Sequence, residues 1–213
     1  MPEAWHETVN QVAVAGSRLS LPEHEDRRSC QSAAQTAWVT RTVVVGELPA
    51  ALREWLRSRQ ELGQDLFDEV WQGEYHVAPA AHRRHGDLDD QLGALLSPPA
   101  RARGLWPSGS TNIGEPADYR VPDRAYFSRR EPATFEPTAE IIVEIVSPGD
   151  ETYAKLGFYF GRGVREVLIV DSDCSVVEWY GRGEDGFIRS GRSRLLELTE
   201  AAPAEQLDWP PAD

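Results

Sequence analysis

Residues 139–156 read AEIIVEIVSPGDETYAKL. The first part, Ala139 to Val146, is almost entirely β-branched and apolar, which is typical of a strand buried in the centre of a sheet. A turn follows, and then a predicted helix over 151–162 and a second apolar strand over 164–170. Two buried strands joined by a helix predict a right-handed β-α-β crossover and therefore an α/β fold.

Outside this crossover, hydrophobic spacing and turn residues predict further elements on both sides. In chain order they are a helix over 49–62, a β-hairpin over 67–77, a helix over 82–96 that stops at Pro98-Pro99, a strand pair of 105–106 with 111–114, a strand over 120–127, and a last hairpin around 181–186. Residues 1–42 show no sustained period and are predicted to form a poorly structured extension. A single domain is predicted over 43–213.

Composition restricts the class of protein. A hydrophobic content of 40% is sufficient for a packed core, and no run approaches the 18 apolar residues of a membrane span. The N-terminus lacks the pattern of a secretory signal. Cys30 and Cys174 have no CxxC partner, which argues against a structural zinc site and is typical of a reducing compartment. We therefore expect a cytoplasmic protein that does not enter the membrane.

The net charge of −13 opposes any role in nucleic-acid binding, because the DNA backbone is bound by cations that displace counterions. The charge is unevenly distributed, however. Between His82 and Arg130, eight arginines stand against six acidic residues. The sequence is therefore compatible with a local basic surface on an acidic protein, although counting alone does not establish one.

Lys155 is the only lysine of the chain, and the other 21 basic residues are arginines. A compact ammonium serves as a point charge and proton donor beside a phosphate or an attacking water, which a guanidinium does poorly. A retained lysine therefore indicates catalysis. The alternatives are a chance survivor of codon bias and a solvated lysine on a helix face.

Two carboxylates complete the pattern. Glu144 lies inside the apolar strand, where a carboxylate is costly unless it is paired or bound to metal. Asp123 follows Pro122 in a neighbouring predicted strand, and two such carboxylates form a hard-oxygen site suited to Mg²⁺ or Mn²⁺. With Lys155 they predict a metal-dependent phosphodiesterase. An edge carboxylate at Glu144 and a turn-forming aspartate at Asp123 remain open alternatives.

Several segments, spread in order over residues 45–211, resemble the Uma2 family. They are FDEVWQGEYHV at 67–77, RHGDL at 84–88, GEPADYRVPD at 114–123, VEIVSPGDETYAKL at 143–156 and GVREVLIVD at 163–171. This bacterial family of restriction-endonuclease-like proteins is similar to the PD-(D/E)XK nuclease superfamily. The resemblance implies a mixed β-sheet flanked by helices over residues 43–213.

The resemblance also implies roles for particular residues. Asp123 and Glu144 would ligate Mg²⁺ or Mn²⁺, and Glu69 would match an acidic residue ahead of the core. Val146 stands where the superfamily places its lysine, so the basic role would move to Lys155 on the next helix. Ser147 and Tyr159 would line the site.

The resulting hypothesis is a metal-dependent endonuclease that hydrolyses DNA phosphodiester bonds and forms a homodimer. His82 and Arg84, at the start of the 82–96 helix, are candidate substrate contacts, although a histidine at a helix start is more often a cap or surface residue. The alternative is a non-catalytic homodimeric module with the same fold, for which the seven tryptophans offer an interface. A hydrolase of RNA or small nucleotides is a third possibility.

Overall fold

The computed structural model of the chain describes residues 42–44, 49–78, 82–147 and 151–211. All but the last residue of the extension predicted over 1–42 lies outside the described residues. The helix predicted over 49–62 is present as α1, Ala50–Glu61. The hairpin predicted over 67–77 is present as β2 (Glu69–Trp71) and β3 (Glu74–Val77), joined at Gln72 and Gly73, which both have positive φ.

The described residues form twelve strands and four α-helices. The strands are β1 (Thr42–Val44), β2 (Glu69–Trp71), β3 (Glu74–Val77), β4 (Trp106–Ser108), β5 (Asn112–Glu115), β6 (Asp118–Arg120), β7 (Arg124–Phe127), β8 (Phe135–Glu136), β9 (Ile141–Val146), β10 (Glu166–Asp171), β11 (Val176–Arg182) and β12 (Phe187–Arg189). The helices are α1, α2 (Arg83–Ala102), α3 (Lys155–Gly161) and α4 (Ala201–Ala204).

The strands form two sheets. Sheet 1 has the order β1-β3-β2-β6-β5-β8, and sheet 2 has the order β12-β11-β10-β9-β7-β4. Each is mixed, because β5 runs parallel to β8 and β9 runs parallel to β10, while the other neighbours are antiparallel. The predicted α/β class with mixed strands and flanking helices is confirmed, but the strands divide between two sheets instead of forming one.

The predicted crossover is the centre of sheet 2. Strands β9 and β10 pair in parallel with Glu144 opposite Ile169, and α3 connects them. Gly163, at φ +85°, follows the helix in the left-handed conformation that favours glycine. The last hairpin is also present, since β11 and β12 pair antiparallel.

The prediction of one strand over 120–127 is wrong. β6 ends at Arg120 in sheet 1, and β7 begins at Arg124 in sheet 2. Pro122 has no N–H to donate to a ladder, and the N–H of Val121 binds the side chain of Glu69 instead. The chain therefore changes sheets at Val121-Pro122-Asp123, which leaves Asp123 at the start of β7.

The predicted pairing of 105–106 with 111–114 is also wrong. β4 pairs with β7, placing Trp106 opposite Phe127, while β5 pairs with β6. Sequence proximity favoured a local hairpin, but the apolar residues of β7 offer β4 a partner within sheet 2. As a result β4 is one of the two edge strands of that sheet.

The helix predicted to stop at Pro98-Pro99 continues through both prolines to Ala102. Its buried stripe extends past them, because Leu96 and Ala100 are both 0% exposed. Two missing N–H groups weaken the helix at this point. Burial of the stripe against sheet 2 offsets that loss.

Sheet 2 separates two apolar clusters. One cluster packs α2 and the tail residues Leu207 and Trp209 against one face. The other packs α3 against the opposite face. Cys174, in the turn between β10 and β11, is disulfide-bonded. Within the residues described, no helix has the length and apolar content needed to cross a bilayer.

Candidate active site

Glu144 is buried in the middle of β9, with a relative exposure of 3%. The pleat directs it, together with Ile142, to the face of sheet 2 that α3 covers. There its carboxylate binds Lys155 Nζ at 3.1 and 3.2 Å, and the Tyr159 hydroxyl donates to Oε1. Glu144 is therefore a paired carboxylate in the interior and not a solvated edge residue.

Lys155 is the first residue of α3, which directly follows a 3₁₀ turn, Thr152–Ala154. Its ammonium lies between two carboxylates, 2.9 Å from Glu69 Oε1 and 3.1 Å from Glu144 Oε1. The side chain is 9% exposed. The only lysine of the chain is thus a buried ion-pair centre and not a solvated residue on a helix face.

Glu69 enters the site from sheet 1. Its Oε1 accepts the N–H of Val121 at 3.0 Å, and its Oε2 accepts Trp71 Nε1–H at 2.6 Å. The guanidinium of Arg120 is stacked between the Trp71 and Phe158 rings, with Cζ 4.2 and 4.1 Å from their centroids. Hydrogen bonds from Val121 and Trp71 therefore hold the Glu69 carboxylate in place, and this carboxylate pairs with the Lys155 ammonium.

Asp123 lies beside β9, where its Oδ2 accepts the N–H of Ile145 at 2.6 Å. Its Oδ1 is 2.7 Å from His85 Nε2, and His85 Nδ1 is 3.2 Å from Ser147 Oγ. Burial opposes protonation of His85, but the Asp123 carboxylate outweighs it and raises the pKa of the imidazole. The side chains of Asp123 and His85 are 20% and 24% exposed, so the site opens to solvent on this side.

The buried part of the site carries excess negative charge. Burial raises the pKa of Glu144, and the charges of Asp123 and Glu69 add to the shift, while the Lys155 ammonium opposes it. Burial also favours the neutral amine of Lys155, but the surrounding carboxylates outweigh it and raise the pKa of Lys155. The pKa of Tyr159 lies well above its usual value through burial and the charge of Glu144. Lys155 therefore remains an ammonium and Tyr159 a neutral hydrogen-bond donor.

The structure thus brings together six of the eight predicted site residues. They are Glu69, Asp123, Glu144, Ser147, Lys155 and Tyr159. His82 and Arg84 lie outside the cluster: His82 Nδ1 accepts the N–H of Arg84 at 3.3 Å as a helix cap, and Arg84 pairs with Asp173 at 2.6 Å. Their role as substrate contacts stays a prediction.

Three contributors, His85, Trp71 and Arg120, had no assigned role in the sequence-based hypothesis, although His85 was among the residues considered. His85 stands three residues before the buried Leu88, so the helical period already directed it inward. Trp71 is two residues after Glu69 on one strand, which places both on one face. Arg120 carried no comparable signal, because its partner Phe158 is distant in sequence.

The comparisons with known proteins agree on a nuclease-like fold. The sequence profile of the Uma2 family, described as "Putative restriction endonuclease", matches residues 56–208, more than two thirds of the chain. No curated protein matches. A crystal structure described as "a putative nuclease belonging to DUF820", from Anabaena variabilis, has a TM-score of 0.50 at 15% identity over 65% of this chain and 90% of that one. At this identity the likeness concerns the fold alone.

Proposed function

The chain belongs to the Uma2 family, and we propose that it is a metal-dependent endonuclease that hydrolyses phosphodiester bonds of DNA. The observation that carries the proposal is the placement of Lys155. Its ammonium is buried between Glu69 and Glu144. Asp123 accepts a hydrogen bond from the backbone of β9, the strand that carries Glu144. Burying charges is expensive, and such clusters are concentrated at functional sites.

The donor set suits a hard divalent cation. Asp123 and Glu144 are the carboxylates that would hold Mg²⁺ or Mn²⁺. Within residues 42–44, 49–78, 82–147 and 151–211, no three Asp, Glu, His or Cys side chains are grouped closely enough to hold an ion by themselves. Mg²⁺ typically uses one or two carboxylates and completes its shell with water and substrate phosphate, so two carboxylates are sufficient.

The ion would activate water and neutralise charge on the phosphate. The remaining tasks belong to the chain. Lys155 supplies a positive charge and a proton donor beside the carboxylates, and Glu69 determines the direction of its ammonium. Tyr159 orients Glu144, and His85 orients Asp123 on the solvent-facing side, where substrate would arrive.

The test pairs metal binding with cleavage. Isothermal titration of Mg²⁺ and Mn²⁺ into the parent, Asp123→Asn and Glu144→Gln, followed by plasmid nicking, is expected to show binding and nicking only in the parent. Glu140→Gln is the matched control, because Glu140 lies one residue before β9 and pairs with Arg165 on the surface. If both site variants nick DNA as fast as the parent, the assignment is wrong.

A non-catalytic homodimeric module is the second candidate, favoured by exposed apolar side chains at the end of α1 and after it. Leu62 and Leu66 are each 67% exposed and Phe67 is 53% exposed. Light scattering of the parent and of Leu62→Glu/Phe67→Glu tests this interface. A dimeric parent that neither binds metal nor cuts DNA, with a monomeric variant, would favour the module.

A further inference from the structure

The eight arginines between His82 and Arg130 are not equivalent in the structure. Most are neutralised internally by carboxylates, so the basic character counted from the sequence is largely absent from the surface. The paired arginines are Arg84 with Asp173, Arg103 with Glu197, Arg120 with Asp118, Arg124 with Asp89, and Arg129 with Glu136.

The other three, Arg83, Arg101 and Arg130, form no ion pair with a carboxylate among the described residues, and Arg101 and Arg130 share a further feature. Both are exposed, and both stack on the half-buried indole of Trp106, with Cζ 5.9 and 5.0 Å from the ring centroid. Neither forms an ion pair with a carboxylate in the part of the chain that the structure describes. These distances are those of cation–π contacts, which orient a guanidinium while leaving its charge uncompensated.

The cluster comes from three separate elements that meet at the edge of sheet 2. Arg101 is in the last turn of α2, Trp106 begins the edge strand β4, and Arg130 follows β7. Trp106 pairs with Phe127, four residues along the chain from Asp123. At roughly 3.4 Å per residue of strand, Asp123 lies about 14 Å from Phe127 and from the neighbouring Trp106. A B-DNA turn spans about 34 Å, so one duplex can contact both places.

We propose that Arg101, Trp106 and Arg130 form a binding site for backbone phosphates of DNA, separate from the Asp123–Glu144–Lys155 cluster. This inference rests on the proposed nuclease function. Guanidinium groups bind phosphate oxygens through paired N–H donors, and stacking on an indole reduces the freedom lost on binding. On a chain of net charge −13, two adjacent uncompensated cations are the feature that attracts a polyanion.

The experiment measures binding of a labelled DNA duplex by fluorescence anisotropy in EDTA, so that cleavage does not contribute. For Arg101→Gln/Arg130→Gln we expect binding weaker on the order of tenfold or more, and a slope of log K against log salt smaller by about 2. Arg103→Gln is the matched control, because Arg103 stands two residues after Arg101 and is already paired with Glu197. It should bind like the parent.

Arg101→Lys/Arg130→Lys keeps both charges and should keep the salt slope, which separates phosphate binding from a change in folding. If the parent binds DNA and the glutamine variant shows the same affinity and slope, the phosphate site is refuted while the nuclease proposal stands. If the parent binds no DNA at low salt, the phosphate site is refuted, and the nuclease proposal is then decided by the nicking assay.

Discussion

The position of Lys155 leads to a quantitative prediction about stability. Lys155→Met removes the ammonium that lies 2.9 Å from Glu69 and 3.1 Å from Glu144, while both carboxylates remain buried. Methionine has a similar length and is apolar, so packing is largely retained and the change is mainly electrostatic. Breaking a buried ion pair on one side costs about 3–5 kcal/mol, because a charge remains without compensation.

That loss is a large fraction of a domain's total stability of about 5–15 kcal/mol, so the variant should unfold at a clearly lower urea concentration than the parent. Arg103→Met is the matched control, since it removes one partner of the exposed pair with Glu197, whose side chain is 70% exposed. It should cost less than about 1 kcal/mol. In Lys155→Met/Glu69→Gln one uncompensated carboxylate is gone, so part of the lost stability should return.

The assay is urea unfolding at neutral pH followed by tryptophan fluorescence, for which the chain has seven tryptophans. The free energies of unfolding of the parent, the control and the single and double variants are compared, with one common dependence on urea concentration. If Lys155→Met unfolds within about 1 kcal/mol of the parent, the ammonium does not stabilise the two carboxylates. Glu69, Glu144 and Lys155 would then not form the buried catalytic cluster proposed above.

Two further predictions concern the fold around the site. Gly114, in β5, has φ +124°, and a side chain there would collide with the carbonyl oxygen of Asp118, so Gly114→Ala should cost about 2–4 kcal/mol in urea unfolding. Gly109→Ala, in open space, should be nearly neutral, and equal effects at both positions would contradict this reasoning. Burial raises the pKa of Tyr119 to about 12. An unfolded tyrosine titrates near 10, so the fold favours the neutral form and stability should fall as pH rises from about 10 to about 12. Tyr119→Phe should reduce this decrease in the free energy of unfolding by up to about 1.4 kcal/mol per pH unit. An unchanged pH dependence would show that Tyr119 ionises as freely in the fold as outside it.

Much of the architecture was readable from local patterns. The apolar run of β9, the helix after it and the strand β10 were predicted with their parallel order, because burial on both faces and the geometry of a crossover restrict the possibilities. The candidate set of Asp123, Glu144 and Lys155 followed from where carboxylates and a lone lysine stand relative to those elements. What the patterns could not supply was the break at Val121-Pro122-Asp123.

The three-dimensional packing settled the contacts that join distant segments. Glu69 meets Val121 across 52 residues, and His85 meets Asp123 across 38, so no local period relates them. Helix α2 passes through two prolines because Ala100 is buried beyond them, which outweighs the local preference to stop. Local patterns in the sequence thus specified where apolar strands, turns and charged residues lie along the chain. Which charges are buried together or neutralised depended on the packing of the two sheets, because charge interactions act between neighbours in space.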